Sequence, residues 1–375
     1  MSCGPRLASI NLDHATNYTA RYWSCLTLTV GTPLSCAIMT NKVPLTFACG
    51  PYAHTQAVAN GTITPAGISL NYLTIDHPRD IFDRQASSQE FSACEFSASE
   101  YICRYAAGAR DLIAIPVFPS RTFRHSFIAI NKNKVREIHP KDLEGKRVGV
   151  QLYTMTAAVW IRGVLAQHGV DLSTITWVQG AMEKPGSHGK PSAKPLLKPV
   201  KIENNESDKS ISDLLAAGDI DATIGADPPP CLGKAENVSR LFPNFREEEK
   251  RYYKETGIFP IMHVVVIKKS VLEQWPFVAT SLYNAIDEAK DHAMKQMRFL
   301  GGLRYMLPWL PEHIDEIDKV FGKEDGRGDP WVYGLEENRQ TLEALVSFLH
   351  QQGMIDRMIP LEELFVKVNG QNWKI

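Results

Sequence analysis

The stretch FPSRTFRHS, residues 118–126, sets Arg121, Arg124 and His125 within five positions, directly behind the apolar run at 112–117. Arginine presents a planar fork of donors that matches a carboxylate, and histidine exchanges protons near neutral pH. The trio therefore reads as an anion site beside an acid/base group, against the plainer reading of a solvated loop. Arg121 and Arg124 are three apart, so in an extended segment they point to opposite sides. One is expected to grip a ligand and the other to join an internal ion pair. A second acid/base candidate is His263, inside the apolar run IMHVVVI. Its alternative is a buried neutral ring satisfied by the backbone.

Other polar positions cluster at the ends of expected strands. Glu95, Ser97 and Ser99 lie in EFSAS, where Glu95 is a candidate proton acceptor. Thr154 and Thr156 open the helix TAAVWIRG, whose free N–H groups form a second anion site, although threonine capping would look the same. Arg162, two turns further on, packs or pairs with an acid unless it turns toward ligand. Tyr52 and His54 in PYAH follow the first strand and are placed to lie over a ring, whereas the commoner fate of such a segment is a surface turn. Phe118 and Phe123 offer apolar surroundings for a leaving group, and Asp227 in GADPPP reads as a turn cap.

These residues need a scaffold, and the chain's 375 residues exceed what one core usually organises. Strand and helix signals alternate from VPLTFACG (43–50) onward, the pattern of an α/β protein with largely parallel sheets. One lobe forms up to DLIAIPVF (111–118). FIAINKNKV (127–135) then leaves it, a second lobe follows, and GIFPIMHVVVIKK (257–269) returns as a strand buried on both faces before mainly helical segments. The expected organisation is a first α/β domain over 42–130 and 260–375, discontinuous around an inserted second α/β domain over 131–259. Two crossing strands would form the hinge. Ligands of such open sheets bind at the carboxyl ends of strands, so the loops at 49–55, 94–99, 118–126, 153–156, 225–230 and 259–263 should face the cleft. Residues 1–41 read as a poorly ordered N-terminal extension, and the Pro-, Ser-, Gly- and Lys-rich segment 182–201 as an exposed insertion.

With 41 basic against 42 acidic residues no global field points to nucleic acid or membrane, so the expected partner is small, with a homo-oligomer open. Seven scattered cysteines without a CxxC pair argue against a disulfide framework or zinc site and for a reducing, cytoplasmic compartment. WSCLTLTVGTPLSCAIM (23–39) ends in small residues like a signal peptide, but Thr and Ser dilute its apolar core. The eleven histidines show no HxH or HxxxH spacing, and no glycine motif for a nucleotide is present, so neither metal nor cofactor is expected.

Four strings carry a resemblance: AIPVFPSRTFRHSFIAIN, DLEGKRVGVQLYTMTAAVWIRGVL, AGDIDATIGADPP and RYYKETGIFPIMHVVVI, joined by DPWVYGLEENRQTLE near the C-terminus. From about residue 43 onward the chain resembles the 4,5-dihydroxyphthalate decarboxylase family, whose fold is that of type 2 periplasmic solute-binding proteins. The resemblance implies a non-oxidative aromatic decarboxylase making protocatechuate in aromatic catabolism. Such chemistry needs a general acid over the ring, an acceptor near the phenol, and cationic donors for the carboxylate that stays. His125 or His263 would be the acid, Glu95 the acceptor, and Arg124, with Arg121 as the alternative, the clamp. Two other classes remain open on the same fold: a solute-binding or sensor protein that captures an aromatic acid without chemistry, and a pyrimidine-synthase-like enzyme. The latter would call for a His- or Cys-rich segment that the chain lacks.

Overall fold

The computed structural model describes residues 42–189, 196–322 and 326–368. The N-terminal extension and the middle of the 182–201 insertion lie outside the described residues. Eleven strands occur among those described: β1 (Val43–Cys49), β2 (Ile68–Thr74), β3 (Ala93–Ser97), β4 (Leu112–Ile115), β5 (Ala129–Asn131), β6 (Arg147–Val150), β7 (Thr176–Gln179), β8 (Ile202–Asn204), β9 (Ala222–Ile224), β10 (Val238–Arg240) and β11 (His263–Lys268). They form two sheets, ordered β2-β1-β3-β11-β4 and β10-β5-β9-β6-β7-β8.

In the first sheet β1 runs parallel to β2 and β3, while β11 returns from the second sheet and wedges antiparallel between β3 and β4. This is the two-lobed α/β arrangement of a type 2 periplasmic-binding-protein-like fold. Val264, Val265, Val266 and Ile267 are at most 2 % exposed, as a strand covered on both faces requires. Each such side chain contributes roughly 1.5–3 kcal/mol by leaving water.

The regular strand starts only at His263, six residues later than the apolar pattern suggests. Gly257 takes a positive φ of 62° to end the helix Phe245–Thr256, and the next residues form a crossing passage. There the outgoing and returning chains bond to each other: Thr122 N–H donates to Pro260 O at 3.2 Å, and Met262 N–H to Ser120 O at 2.8 Å.

Differences from the periodicity have local causes. The apolar pattern over 271–297 reads as one helix, but Pro276, lacking an N–H, divides it into Lys269–Gln274 and Phe277–Met297. The helix Phe245–Thr256 (FREEEKRYYKET) carries no apolar stripe, since only Tyr252 is buried. Leu310–Phe321, by contrast, carries Leu310, Ile314, Ile317 and Phe321 at helical spacing, while β10, three residues long, is too short to show alternation.

One helix matters for the cleft. Thr156–Gln167 packs against Arg339–Gln351 so closely that a Cβ on Gly163 would fall 2.3 Å from the Phe348 ring. Trp160 meets Phe348 edge-on at 5.6 Å and donates its indole N–H to Ile261 O at 2.8 Å. The helix start is thereby fixed relative to the passage that ends in His263. Among the described residues no helix is long and apolar enough to cross a membrane.

Candidate active site

β3 and β11 are paired with Ser97 opposite His263 and Glu95 opposite Val265. Residues opposite one another share a sheet face, and so do residues two apart, so Glu95 and His263 are diagonal neighbours. Glu95 Oε1 lies 2.5 Å from His263 Nδ1. The same oxygen accepts from the Tyr52 hydroxyl at 2.5 Å, and Oε2 accepts from the Gly50 amide at 2.8 Å. Glycine is needed at position 50, because a Cβ would sit 2.8 Å from the Tyr52 ring and 3.3 Å from Oε2.

Glu95 is fully buried. Burial pushes its carboxyl upward, yet the His263 ring, Tyr52 and Gly50 together hold it below the usual carboxylate range. Burial and the Glu95 charge push the Cys49 thiol and Tyr52 hydroxyl well up, so both stay protonated as donors. An ionised carboxylate on Nδ1 fixes the His263 tautomer and leaves the opposite ring edge for other work. The Phe82 ring meets His263 edge-on at 5.0 Å and keeps its plane in place.

That free edge borders a cavity of about 280 Å³ between the two sheets. Its apolar wall is Phe82, Leu152, Met155, Ala157 and Met262. Its polar wall is His77, Arg79, Ser97, Glu100, Arg124, Thr156, His188, Asp227 and His263. Arg124 Nε faces Met262 Sδ at 3.3 Å and Nη1 donates to Ala226 O at 2.8 Å, while Nη2 has no partner among the described residues. Burial lowers this guanidinium to about 10, so it stays charged at neutral pH. Arg79 is held by Glu100 at 2.6 Å and by Asp83.

At the base of the cleft two helix starts meet. Thr156 Oγ1 lies 3.0 Å from Ser97 Oγ, 2.9 Å from Ser99 Oγ and 3.1 Å from Ser99 N. Neither threonine caps its own helix: the residue before the first turn is Met155, whose side chain makes no capping bond. The Thr154 carbonyl accepts from Ser99 Oγ at 2.9 Å, and its hydroxyl is buried without a partner. Thr156 thus spends its hydroxyl across the cleft, and Thr154 does not reach the cavity wall.

Of the residues expected to act, the structure gathers Glu95, Tyr52, Ser97, Thr156, Arg124 and His263. The others lie elsewhere. His125 is 2 % exposed, boxed edge-on by Phe242 and Tyr252 at 5.3 Å each, and burial lowers its ring to about 4. It is off the cavity wall, because the 3-10 turn His125–Phe127 packs it against Phe242 and the helix Phe245–Thr256 instead of facing it into the cleft. Arg121 is the structural arginine, gripping Asn338 Oδ1 at 2.8 Å and Phe259 O at 2.9 Å, with no acid in the pair. Phe118 packs on Tyr333 and Phe365, and Phe123 on Phe259 and Tyr253. Arg162 is fully buried, stacked 3.7 Å from Tyr153 and bonded to Gln352 at 2.8 Å. His54 stacks on the back of Tyr52 at 5.3 Å, and burial lowers it to about 4. Glu95 has both oxygens committed and is off the cavity wall, so it cannot accept a proton directly from a ligand.

The residues that sequence reasoning missed are His77, Arg79 and Phe82, from HPRDIF at the carboxyl end of β2, and His188, from the insertion. A loop after a strand end carrying His and Arg was the signal available for the first group. Among the described residues no three His, Cys, Asp or Glu side chains converge as a metal ion would require.

Comparison with known proteins meets this geometry. The chain is 32 % identical over 338 residues to 4,5-dihydroxyphthalate decarboxylase of Comamonas testosteroni, covering 89 % of this chain and all of that one. The chain belongs to the 4,5-dihydroxyphthalate decarboxylase family. It is an enzyme, a carboxy-lyase. A second relative, 4,5-dihydroxyphthalate decarboxylase of Pseudomonas putida, is 38 % identical over 207 residues, 55 % of this chain and 79 % of its own. No family model matches. Among solved structures, the periplasmic aliphatic sulphonate-binding protein SsuA of Escherichia coli aligns with a TM-score of 0.49 at 11 % identity, over 88 % of this chain and 94 % of its own. The alkanesulfonate-binding protein of Xanthomonas axonopodis pv. citri, bound to MOPS, gives 0.47 at 12 % identity, over 86 % and 98 %. Both curated family members share a name that calls for a proton donor and carboxylate donors, and the cleft holds candidates for each.

Proposed function

We propose that the enzyme decarboxylates 4,5-dihydroxyphthalate, or a close dihydroxylated aromatic dicarboxylate, to protocatechuate and CO2 by protonating the ring carbon that bears the departing carboxylate. The observation that carries this reading is His263, held at Nδ1 by an ionised buried carboxylate and presenting its other edge to a cavity that Arg124 also lines.

An aryl anion is too basic to form, so protonation must precede loss of CO2. A hydroxyl para to the leaving group feeds electron density to the ipso carbon as its proton departs. His263 Nε2–H supplies the proton there, and Glu95 holds the ring in place and balances the charge it carries. Arg124 takes the spectator carboxylate through a charge-assisted bond. A clamp on the departing carboxylate would stabilise the ground state and lose its partner as neutral CO2 forms. That group is better placed against Phe82, Met155 and Met262. The aromatic ring is its own electron sink, so the reading asks for no organic cofactor. It also places the protein in the cytoplasm, where aromatic acids are catabolised.

The test is direct. Purified protein mixed with 4,5-dihydroxyphthalate should release one CO2 per protocatechuate formed, and should still do so after exhaustive chelation with EDTA. Tight binding without CO2 release would favour a solute-capturing protein, and activity restored only by a divalent ion would replace the metal-free mechanism.

A further inference from the structure

The proposed reaction needs an acceptor for the phenol proton at the far end of the ring from His263. Glu95 is ruled out by its commitments, and Glu100 is 1 % exposed and ion-paired to Arg79. His77 belongs to the same lobe and wall as His263, directly before the helix that carries Phe82. Among the described lining residues that come from the second lobe, two can take a proton, His188 and Asp227.

His188 comes from the insertion, whose described part is a built loop. Ala181 N–H closes it on Gly186 O at 2.7 Å, Gly189 N–H bonds Ser187 Oγ at 3.1 Å, and Ile211 N–H and Ser212 N–H donate to Ala181 O and Met182 O at 3.0 and 3.1 Å. The loop carries the ring from the second lobe to the first: a Cβ on Gly189 would lie 3.8 Å from Arg79 Cδ. The His188 ring is half-buried on the cavity wall, and among the described residues no group bonds either of its nitrogens. The charged groups that face it are Arg79 and Asp83 on the helix Pro78–Ser88 and Asp227 on the loop after β9, with Arg124 and His263 across the cavity.

We infer that His188 is a catalytic residue, the acceptor of the substrate's phenol proton, with Asp227 beside it to balance the imidazolium that results. The inference rests on the decarboxylation reading above. In the step, the O–H proton passes to a ring nitrogen of His188, and the freed pair enters the ring and bonds the ipso carbon to the proton from His263. The bond to the carboxylate carbon then breaks, its pair restores the aromatic ring and the phenolate, and the phenolate takes its proton back from His188. One proton from water returns to His263 each turnover, as the exchange of a carboxylate for hydrogen requires. Burial, with Arg79 close by, lowers the His188 ring from its ordinary value, which leaves it neutral and able to accept at pH 7.

The diagnostic is the pH dependence of His188→Ala acting on 4,5-dihydroxyphthalate. Unassisted phenols ionise near ~10, so rising pH should progressively replace a missing acceptor. The expected result is a kcat about 10²-fold below wild type at pH 7, a deficit that shrinks steadily toward pH 9.5, and an unchanged melting temperature. His263→Gln, lacking the donor, should show no such recovery. No loss in His188→Ala, or a loss equal at every pH, overturns the assignment while leaving the decarboxylase reading intact. Wild-type protein that makes no CO2 overturns that reading, and this inference with it.

Discussion

Two passages of chain cross between the sheets, and each delivers a histidine: His125 after FPSRTFR on the way out, His263 after IFPIM on the way back. The first has two arginines for neighbours and the second only apolar residues. Yet His125 ends in an aromatic box with Nδ1 unpartnered, while His263 is coupled to a buried carboxylate and opens on the cavity. What makes a histidine chemically useful here is a carboxylate two residues along the neighbouring strand, a relation set by register. Flanking charge did not decide it. The arginines divide in the same way, Arg121 bracing the C-terminal segment and Arg124 facing the cavity.

The sharpest way to break this comparison is to exchange the roles. His263→Gln should lower kcat about 10²- to 10⁴-fold with little change in substrate affinity. His125→Gln should leave kcat within about threefold. Steady-state rates of CO2 release on both variants check this, and the opposite ranking would return the proton donor to the outgoing passage.

His125 should show itself in stability. Its folded value of about 4 lies below the ordinary 6.5, so the unfolded chain binds the proton more tightly. Stability from keeping this ring neutral is therefore intact above 6.5 and falls as pH drops toward 4, by roughly 3 kcal/mol. Urea unfolding at pH 7 and pH 4.5 should show the wild type losing more than His125→Gln does. Glu95 and His54 add acid lability to both proteins and cancel from the difference. Equal losses would mean that His125 is not buried neutral.

For the arginines, Arg124→Lys keeps the charge but loses the fork, and should weaken 4,5-dihydroxyphthalate binding by about 1.5–3 kcal/mol. An analogue without the spectator carboxylate should bind wild type and variant almost equally. Arg121→Lys should instead lower the melting temperature and leave the dissociation constant alone, because its fork joins Asn338 to Phe259 O. If the analogue also loses affinity by the full amount in Arg124→Lys, the arginine holds the reacting carboxylate.

The sequence made strand ends legible, and with them most of the loops that line the cleft: Ser97, Arg124, Thr156, Asp227 and His263 come from five of the six expected. It made the division of the arginines legible as well, since the opposite facing of Arg121 and Arg124, one turned inward to Asn338 and one lining the cavity, follows from their spacing. It could not choose between the histidines, because the Glu95–His263 contact depends on β11 pairing antiparallel with β3, a relation between residues 168 positions apart. His188 was hidden for a different reason. Its segment has the composition of an exposed insertion, and composition does not show that a loop reaches across to the other lobe.

The smallest expected effect divides scaffold from site within one hydroxyl. Thr156 Oγ1 meets Ser97, Ser99 Oγ and Ser99 N–H from the opposite lobe, and it also borders the cavity. Valine at this position keeps the shape and removes the bonds, leaving the Ser99 amide without its acceptor. A hydroxyl that mainly holds the lobes together in the ligand-ready arrangement should, when lost, weaken binding of every ligand by about 1 kcal/mol, whether or not that ligand carries the spectator carboxylate. One that mainly contacts a carboxylate should weaken only ligands carrying it. We expect the first pattern, because three protein contacts already occupy the oxygen. Isothermal titration of Thr156→Val with 4,5-dihydroxyphthalate and with its monocarboxylate analogue separates the two, and a deficit confined to the dicarboxylate would move Thr156 from the scaffold into the clamp beside Arg124.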